Sequence, residues 1–213
     1  MLADWRGSAA GRALMKRKEA PKSYYYDMRA AWESDPECLV YVSEDIKGFD
    51  YERFYKGEPI KDWPEGITFV MKGEVAEDCL VVDLHWMVVS DRVRRTFEEC
   101  HVVGAQFLPV RIMKDDGQEV GRYWALNVTR LADALDWEHT RWLPGRDPRT
   151  DEYPELDIVR AALRLEALKD VDVFRLAVRG RGDAGIYISE RLKVCLQHAG
   201  ATTGLSYDPV PTF

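Results

Sequence analysis

Residues 87–100 read MVVSDRVRRTFEEC, and residues 186–199, 99 positions later, read IYISERLKVCLQHA. In both, an apolar strand-like run leads into a serine, an acidic residue and an arginine, and then into a pattern of helical period. The serine suits an N-cap and the acid suits the first turn, where the helix dipole favours negative charge. Position N3 is Val93 or Leu192, so the start is a plain cap and not a capping box. Val93, Phe97 and Cys100 share one predicted apolar face, as do Leu192, Leu196 and Ala199. The parallel continues past the helices. Gly104 matches Gly204 after a one-residue insertion, Phe107 matches Tyr207, and Pro109-Val110 matches Pro209-Val210. Such a proline fits only a free strand edge or a strand end. One strand-helix-strand unit is therefore used twice.

Outward from the repeat, the body starts near Ser23 and reads mainly as strands. Cys38 to Val42, Ile67 to Met71, Gly121 to Val128 and Val171 to Val178 are short runs rich in β-branched or aromatic residues. Cys79 to Val89 reads as one long strand. In Gly121 to Val128, alternation puts Tyr123, Ala125 and Asn127 on one face and Arg122, Trp124 and Leu126 on the other. Asp115, Asp116 and Gly117 predict a hairpin turn before it. Leu143 to Pro154 is a connector, and Ile158 to Lys169 is open between helix and strand. The fold class expected is α+β, with mixed, mostly antiparallel sheets and a few helices, the two related units lying in two lobes. The divisions expected are a flexible basic arm over residues 1–22, an N-terminal lobe over 23–142 and a C-terminal lobe over 143–213. A single compact domain over 23–213 is the other possibility.

Composition narrows the function. The chain has 213 residues, 46% hydrophobic and 31% charged, with seven Trp, ten Tyr and seven Phe. That is enough apolar surface for a real core and too much for a disordered chain. The formal charge of −7 is unevenly spread. Residues 1–22 carry +4 and the rest −11, with net −6 over residues 27–52 and net −5 over 131–157. A nucleic-acid binder needs a basic face, so acidity points instead to a basic protein partner attracted by the field. Either acidic stretch can equally be a solvated face. No apolar run reaches the 18 or so residues of a membrane span. The four cysteines, at 38, 79, 100 and 195, have no CxxC pairing and are expected to be reduced, mostly buried thiols.

No catalytic or metal-binding set stands out, and neither a metal nor a cofactor is expected. Gly-x-Ser-x-Gly, a P-loop and a dinucleotide fingerprint are all absent, and Glu138-His139 lacks the second histidine of a helical zinc motif. Asp83 and His85 share a strand face and could orient an imidazole. His101 and His198 fall at helix C-termini, where a protonated ring is favoured by the dipole. Gly180-Arg181-Gly182 could cradle a phosphate, although a hairpin turn explains it more simply.

The ordered series of motifs resembles a bacterial immunity-protein family of polymorphic toxin systems. It comprises Ser90 and Arg92; Phe107 to Val110; Tyr123 and Asn127; Asp136, Glu138 and Thr140; Phe174 and Arg175; Ser189 and Arg191; and Thr203 to Val210. The resemblance spans roughly residues 80–213, with a weaker echo at Tyr24-Tyr25-Tyr26. It implies a non-enzymatic cytoplasmic antidote that binds a cognate protein toxin encoded nearby, which the acidity of the chain suggests is basic. In that reading Ser90, Arg92, Gly104, Pro109, Tyr123, Asn127, Ser189, Arg191, Gly204 and Pro209 are structural. Asp136, Trp137, Glu138 and Trp142 are the candidates for partner contact, because rigid aromatics beside charge dominate interface energetics. Their competing roles are core packing for the tryptophans and a local turn cap, or simple solvation, for the acids. The alternative function is a nucleic-acid- or nucleotide-binding accessory protein that uses the arm and the Gly180–Gly182 loop.

Overall fold

A computed structural model describes residues 24–31, 39–42, 49–71, 76–82, 87–146 and 148–213. The basic arm, Cys38, Asp83 and His85 lie outside them. The strands are β1 (Tyr25–Ala30), β2 (Leu39–Val42), β3 (Thr68–Met71), β4 (Cys79–Val82), β5 (Met87–Ser90), β6 (Ala105–Lys114), β7 (Glu119–Val128), β8 (Leu131–Ala132), β9 (Arg141–Trp142), β10 (Ile158–Arg160), β11 (Val173–Val178), β12 (Arg181–Gly182), β13 (Tyr187–Ser189) and β14 (Leu205–Val210). The helices are α1 (Asp91–Glu99) and α2 (Glu190–His198). The α+β expectation and the two units are borne out.

The first lobe is a closed barrel in the order β2-β3-β6-β7-β5-β4. Its interior is filled by Phe69, Met71, Leu80, Val88, Leu108, Val110, Ile112 and Ala125, and Phe54 and Ile60 belong to the same buried cluster. The second lobe is a sheet in the order β12-β11-β13-β1-β14, with β8 beside β11. Strand alternation works as predicted in β7, where Tyr123 and Ala125 enter the barrel core while Leu126 and Val128 point the opposite way. Those outward residues join a second core that contains Val93 and Phe97 of α1, Leu192 and Leu196 of α2, and Met28, Val173 and Ile188 of the second sheet. The two helix faces thus bury each other and weld the lobes together.

The repeat is larger than its linear sequence match. In the first unit β5 and β6 both pair antiparallel with β7, and Tyr123 stands opposite Ser90 and Val110. In the second, β13 and β14 both pair antiparallel with β1, and Tyr25 stands opposite Ser189 and Val210. Strand β1 therefore takes the place of β7, but it precedes its unit in the chain whereas β7 follows. The equivalence extends to side chains. Arg94 lies over the Trp124 ring at 4.8 Å and Lys193 over the Tyr26 ring at 3.6 Å. Both helices close with the same 6→1 bond, Val102 N–H to Phe97 and Ala201 N–H to Leu196, through a left-handed residue, His101 (φ 54°) or Gly200 (φ 66°).

Three sequence expectations need correction or resolution. Cys79 to Val89 is two antiparallel strands, β4 and β5, and not one; Cys79 pairs with Val89 across them. Ile158 to Lys169 is neither a helix nor a full strand: it is the short β10 followed by a 3-10 turn at Leu165–Leu168. Cys100 and Cys195 are not reduced thiols but a disulfide, with Cα atoms 6.9 Å apart, that joins the two repeat helices. Cys79 is the free, buried thiol expected.

Candidate functional site

The S-x-R motifs are helix starts with a second job. Ser90 Oγ accepts from Val93 N–H at 3.3 Å and donates to Asp78 at 2.8 Å; Ser189 Oγ accepts from Leu192 N–H at 3.2 Å and donates to Asp172 at 2.6 Å. Arg92 then donates to the carbonyl of Gly200 and Arg191 to that of Cys100, both at 3.0 Å, so each helix start ties down the C-terminus of the other. Asp172 sits below the usual carboxylate range because, against the effect of burial, Arg191 and Ser189 hydrogen-bond its charged form.

The T-G-L-x-Y-x-P-V segment is a latch between units. Thr203 donates its hydroxyl to Asp78 at 2.8 Å and accepts from Cys79 N–H at its carbonyl at 3.0 Å. Gly204, at φ 70°, passes so close that a Cβ would collide with the Cys79 carbonyl. Leu205 and Val210 enter the cores. Pro209 lies on β14, an outer strand of its sheet, and Pro109 precedes the first β6 residue paired to β3, so neither misses a ladder bond on that side. Gly104, at φ 101°, faces Arg130 and the Val173 carbonyl. Tyr123 donates to Glu77 O at 2.8 Å, and Asn127 spans Glu58 O and Gln106. Arg175, fully buried, donates to the carbonyls of Asp183, Ala184 and Gly185. These motif residues hold the scaffold together.

A different kind of surface forms around Asp136. Its carboxylate accepts from the N–H groups of Glu138 (3.0 Å) and His139 (3.1 Å) and from the His139 ring (2.9 Å), so it caps a tight turn. Burial pushes its pKa up, but His139 and those N–H donors outweigh this and hold it below the usual range. The turn aims Trp137 and Glu138 outward. Trp137 is 38% exposed and stacks on Trp142 at 5.0 Å, while Trp142 also packs against the core beneath. The structure thus brings Trp137 and Trp142 together, presents Glu138 to solvent, and uses Asp136 to hold them.

Sequence reading missed the remainder of this face. Trp142 pairs with Ile158 across β9–β10, and Leu143 N–H donates to Asp157. Leu143, Leu156 (70% exposed) and Val159 (40% exposed) therefore flank Trp142 and its backbone partners along the chain. Phe213 (55% exposed) stacks on the His139 ring at 4.0 Å. No periodicity marks these positions, because they lie in turns and two short strands.

The Gly180 loop is a hairpin, with Arg179 and Gly180 both at positive φ between paired Val178 and Arg181. Arg179 donates to the carbonyls of Pro148, Arg149 and Asp151, and Arg181 pairs with Glu52 and Glu155. Their donors serve the protein itself. Among the described residues, no cluster of His, Cys, Asp and Glu could hold a metal ion, and no helix is long and apolar enough to cross a membrane.

A search of curated proteins returns no match. A family model does match, and it covers residues 12–212, well beyond the motif series that begins near residue 80. With almost the entire chain accounted for, including both S-x-R helices and the interlocking T-G-L segment, the protein belongs to the Imm11 immunity protein family.

Proposed function

We propose that the protein neutralises a cognate toxin by binding it, without turnover, through the face built on Trp137, Trp142, Leu143 and Leu156. The observation that carries this reading is the exposed aromatic and aliphatic cluster, held rigid by the Asp136 turn, within a stretch of net −5. Scattered exposed apolar residues are ordinary, but a contiguous cluster marks an interaction surface. Stacked tryptophans supply large contact area at low entropic cost, and the surrounding carboxylates steer a basic partner. The toxin in this reading is basic and encoded close to the immunity gene, and the encounter takes place in the cytoplasm.

The test is co-expression with the toxin domain encoded beside this gene. The intact protein should relieve growth arrest and form a one-to-one complex. Trp137→Ala should weaken the complex by about 2 kcal/mol, roughly thirtyfold in Kd, and Leu156→Glu should abolish protection while the protein stays folded by circular dichroism. Protection that persists in both variants would overturn the assignment of this face. Arrest that the intact protein does not relieve would overturn neutralisation itself.

A further inference from the structure

Beside the same face lies a cavity of about 400 Å³, bounded by β1, β10, β14 and the loop before β13. Val159, exposed and next to Ile158 on β10, is among its lining residues. The cavity carries carboxylates at depth and cations at its rim. Asp27, Glu155 and Asp183 are buried, whereas Arg29, Arg141 and Arg160, which also line it, are exposed.

One of the buried carboxylates is incompletely satisfied. Asp183 is fully engaged, accepting from Leu176 N–H at 2.9 Å and Tyr187 OH at 2.7 Å. Asp27 is 6% exposed; Arg29 takes its Oδ2, and its Oδ1 has no hydrogen-bond partner. Asp27 also stands directly across the β1–β14 ladder from Asp208, another lining residue. Like charges at directly opposed positions repel, and a buried acceptor without a donor costs free energy. Arg29 meets only Oδ2 of Asp27, so the Oδ1 side is suited to a second cation. The described residues offer no metal-binding cluster, and a volume of about 400 Å³ admits an organic cation.

We propose that this cavity binds an arginine or lysine side chain presented by the toxin, with Asp27 Oδ1 and Asp208 as its acceptors. The inference rests on the neutralisation reading above for the identity of the partner. A guanidinium entering past Val159 would supply the missing donor to Asp27 and separate its charge from that of Asp208. The apolar face and the charged cavity would then act as a neighbouring anchor and lock on one partner.

The test uses the full-length protein, isotopically labelled, titrated with N-acetyl-arginine amide and with its neutral isostere N-acetyl-citrulline amide. The arginine derivative should shift the amides of Asp27, Ala184 and Tyr187 saturably, with Kd on the order of millimolar, and the citrulline derivative should bind at least tenfold more weakly. Asp208→Asn, and Ala184→Arg at the exposed mouth, should each reduce arginine binding tenfold or more without unfolding the protein. Equal binding of the two derivatives, no saturable shift, or unchanged binding in both variants would overturn the cation site. Ala184→Arg should also weaken the toxin complex at least tenfold. Unchanged toxin affinity in that variant would overturn the toxin as the source of the side chain. If the intact protein does not bind the toxin at all, the neutralisation reading fails, whereas the cation site is still decided by the arginine titration.

Discussion

Asp183 is buried in the loop before β13, with its carboxyl pushed up to about 7 by that burial, which outweighs the opposing pull of Tyr187, Arg175 and Leu176 N–H. In the unfolded chain the same group titrates near 4. Between those values the native state keeps a proton that the unfolded state has released, so this carboxyl's contribution to stability falls as pH rises from about 4 to 7 and is level above that. Asp183→Asn should remove that slope, worth on the order of 4 kcal/mol across the window, when thermal unfolding of both proteins is followed from pH 4 to 8. Gly204 is a second residue whose role is local and sharp. Gly204→Ala should cost well over 1 kcal/mol, because its φ is left-handed and its Cβ would meet the Cys79 carbonyl. Denaturant unfolding checks this, with Gly117→Ala as the control for φ alone, since that glycine also has positive φ but has nothing within 4 Å. The glycine match at 104 and 204 is visible in the sequence. What it does not reveal is that each faces a backbone carbonyl from the other lobe, Val173 for Gly104 and Cys79 for Gly204.

At the scale of elements, the helices are the part most legible in advance. Period, cap and first-turn acid are all local, and both helices begin where their serines place them. Ser90→Ala and Ser189→Ala should each cost about 1 kcal/mol as lost caps, with similar values because each serine also bonds the aspartate before the neighbouring strand. The disulfide was not legible, because Cys100 and Cys195 are 95 residues apart and meet only through the packing of α1 against α2. Reduction, or Cys100→Ser with Cys195→Ser, should lower stability by about 2 to 4 kcal/mol yet leave a folded protein, since Val93, Phe97, Leu192 and Leu196 already bury the same contact. Thermal unfolding with and without reductant checks it, and the double serine variant should not respond to reductant. Ile158 to Lys169 resisted prediction for the opposite reason. Its Ala, Leu, Arg and Glu content favours helix, but Ile158 pairs with Trp142 and Leu163 bridges to Leu135 and Thr212, and those tertiary contacts override propensity.

Across the whole molecule, the two lobes are joined by more than proximity. Strand β1, from the N-terminal part of the chain, lies between β13 and β14, and Thr203 of the second unit is bonded to Asp78 of the first. A fragment of residues 143–213 should therefore remain unfolded by circular dichroism, and adding a peptide of residues 24–31 should not be enough to fold it, because Val93, Phe97, Leu126 and Val128 supply the other wall of the shared core. The sequence alone determined the α+β class, the duplicated helix units, the acidic body and, through an ordered series of motifs, the immunity-protein family. Each of these rests on local pattern or on residue identity, which survive in a linear string. Only the tertiary structure decided that β1 stands in for β7, that the two cysteines pair, that Asp136 caps a turn under an exposed tryptophan, and that Asp27 and Asp208 share a cavity. These depend on which distant segments lie side by side. Because the central strand precedes one unit and follows the other, no linear comparison of the two halves could bring Tyr25 opposite the place of Tyr123.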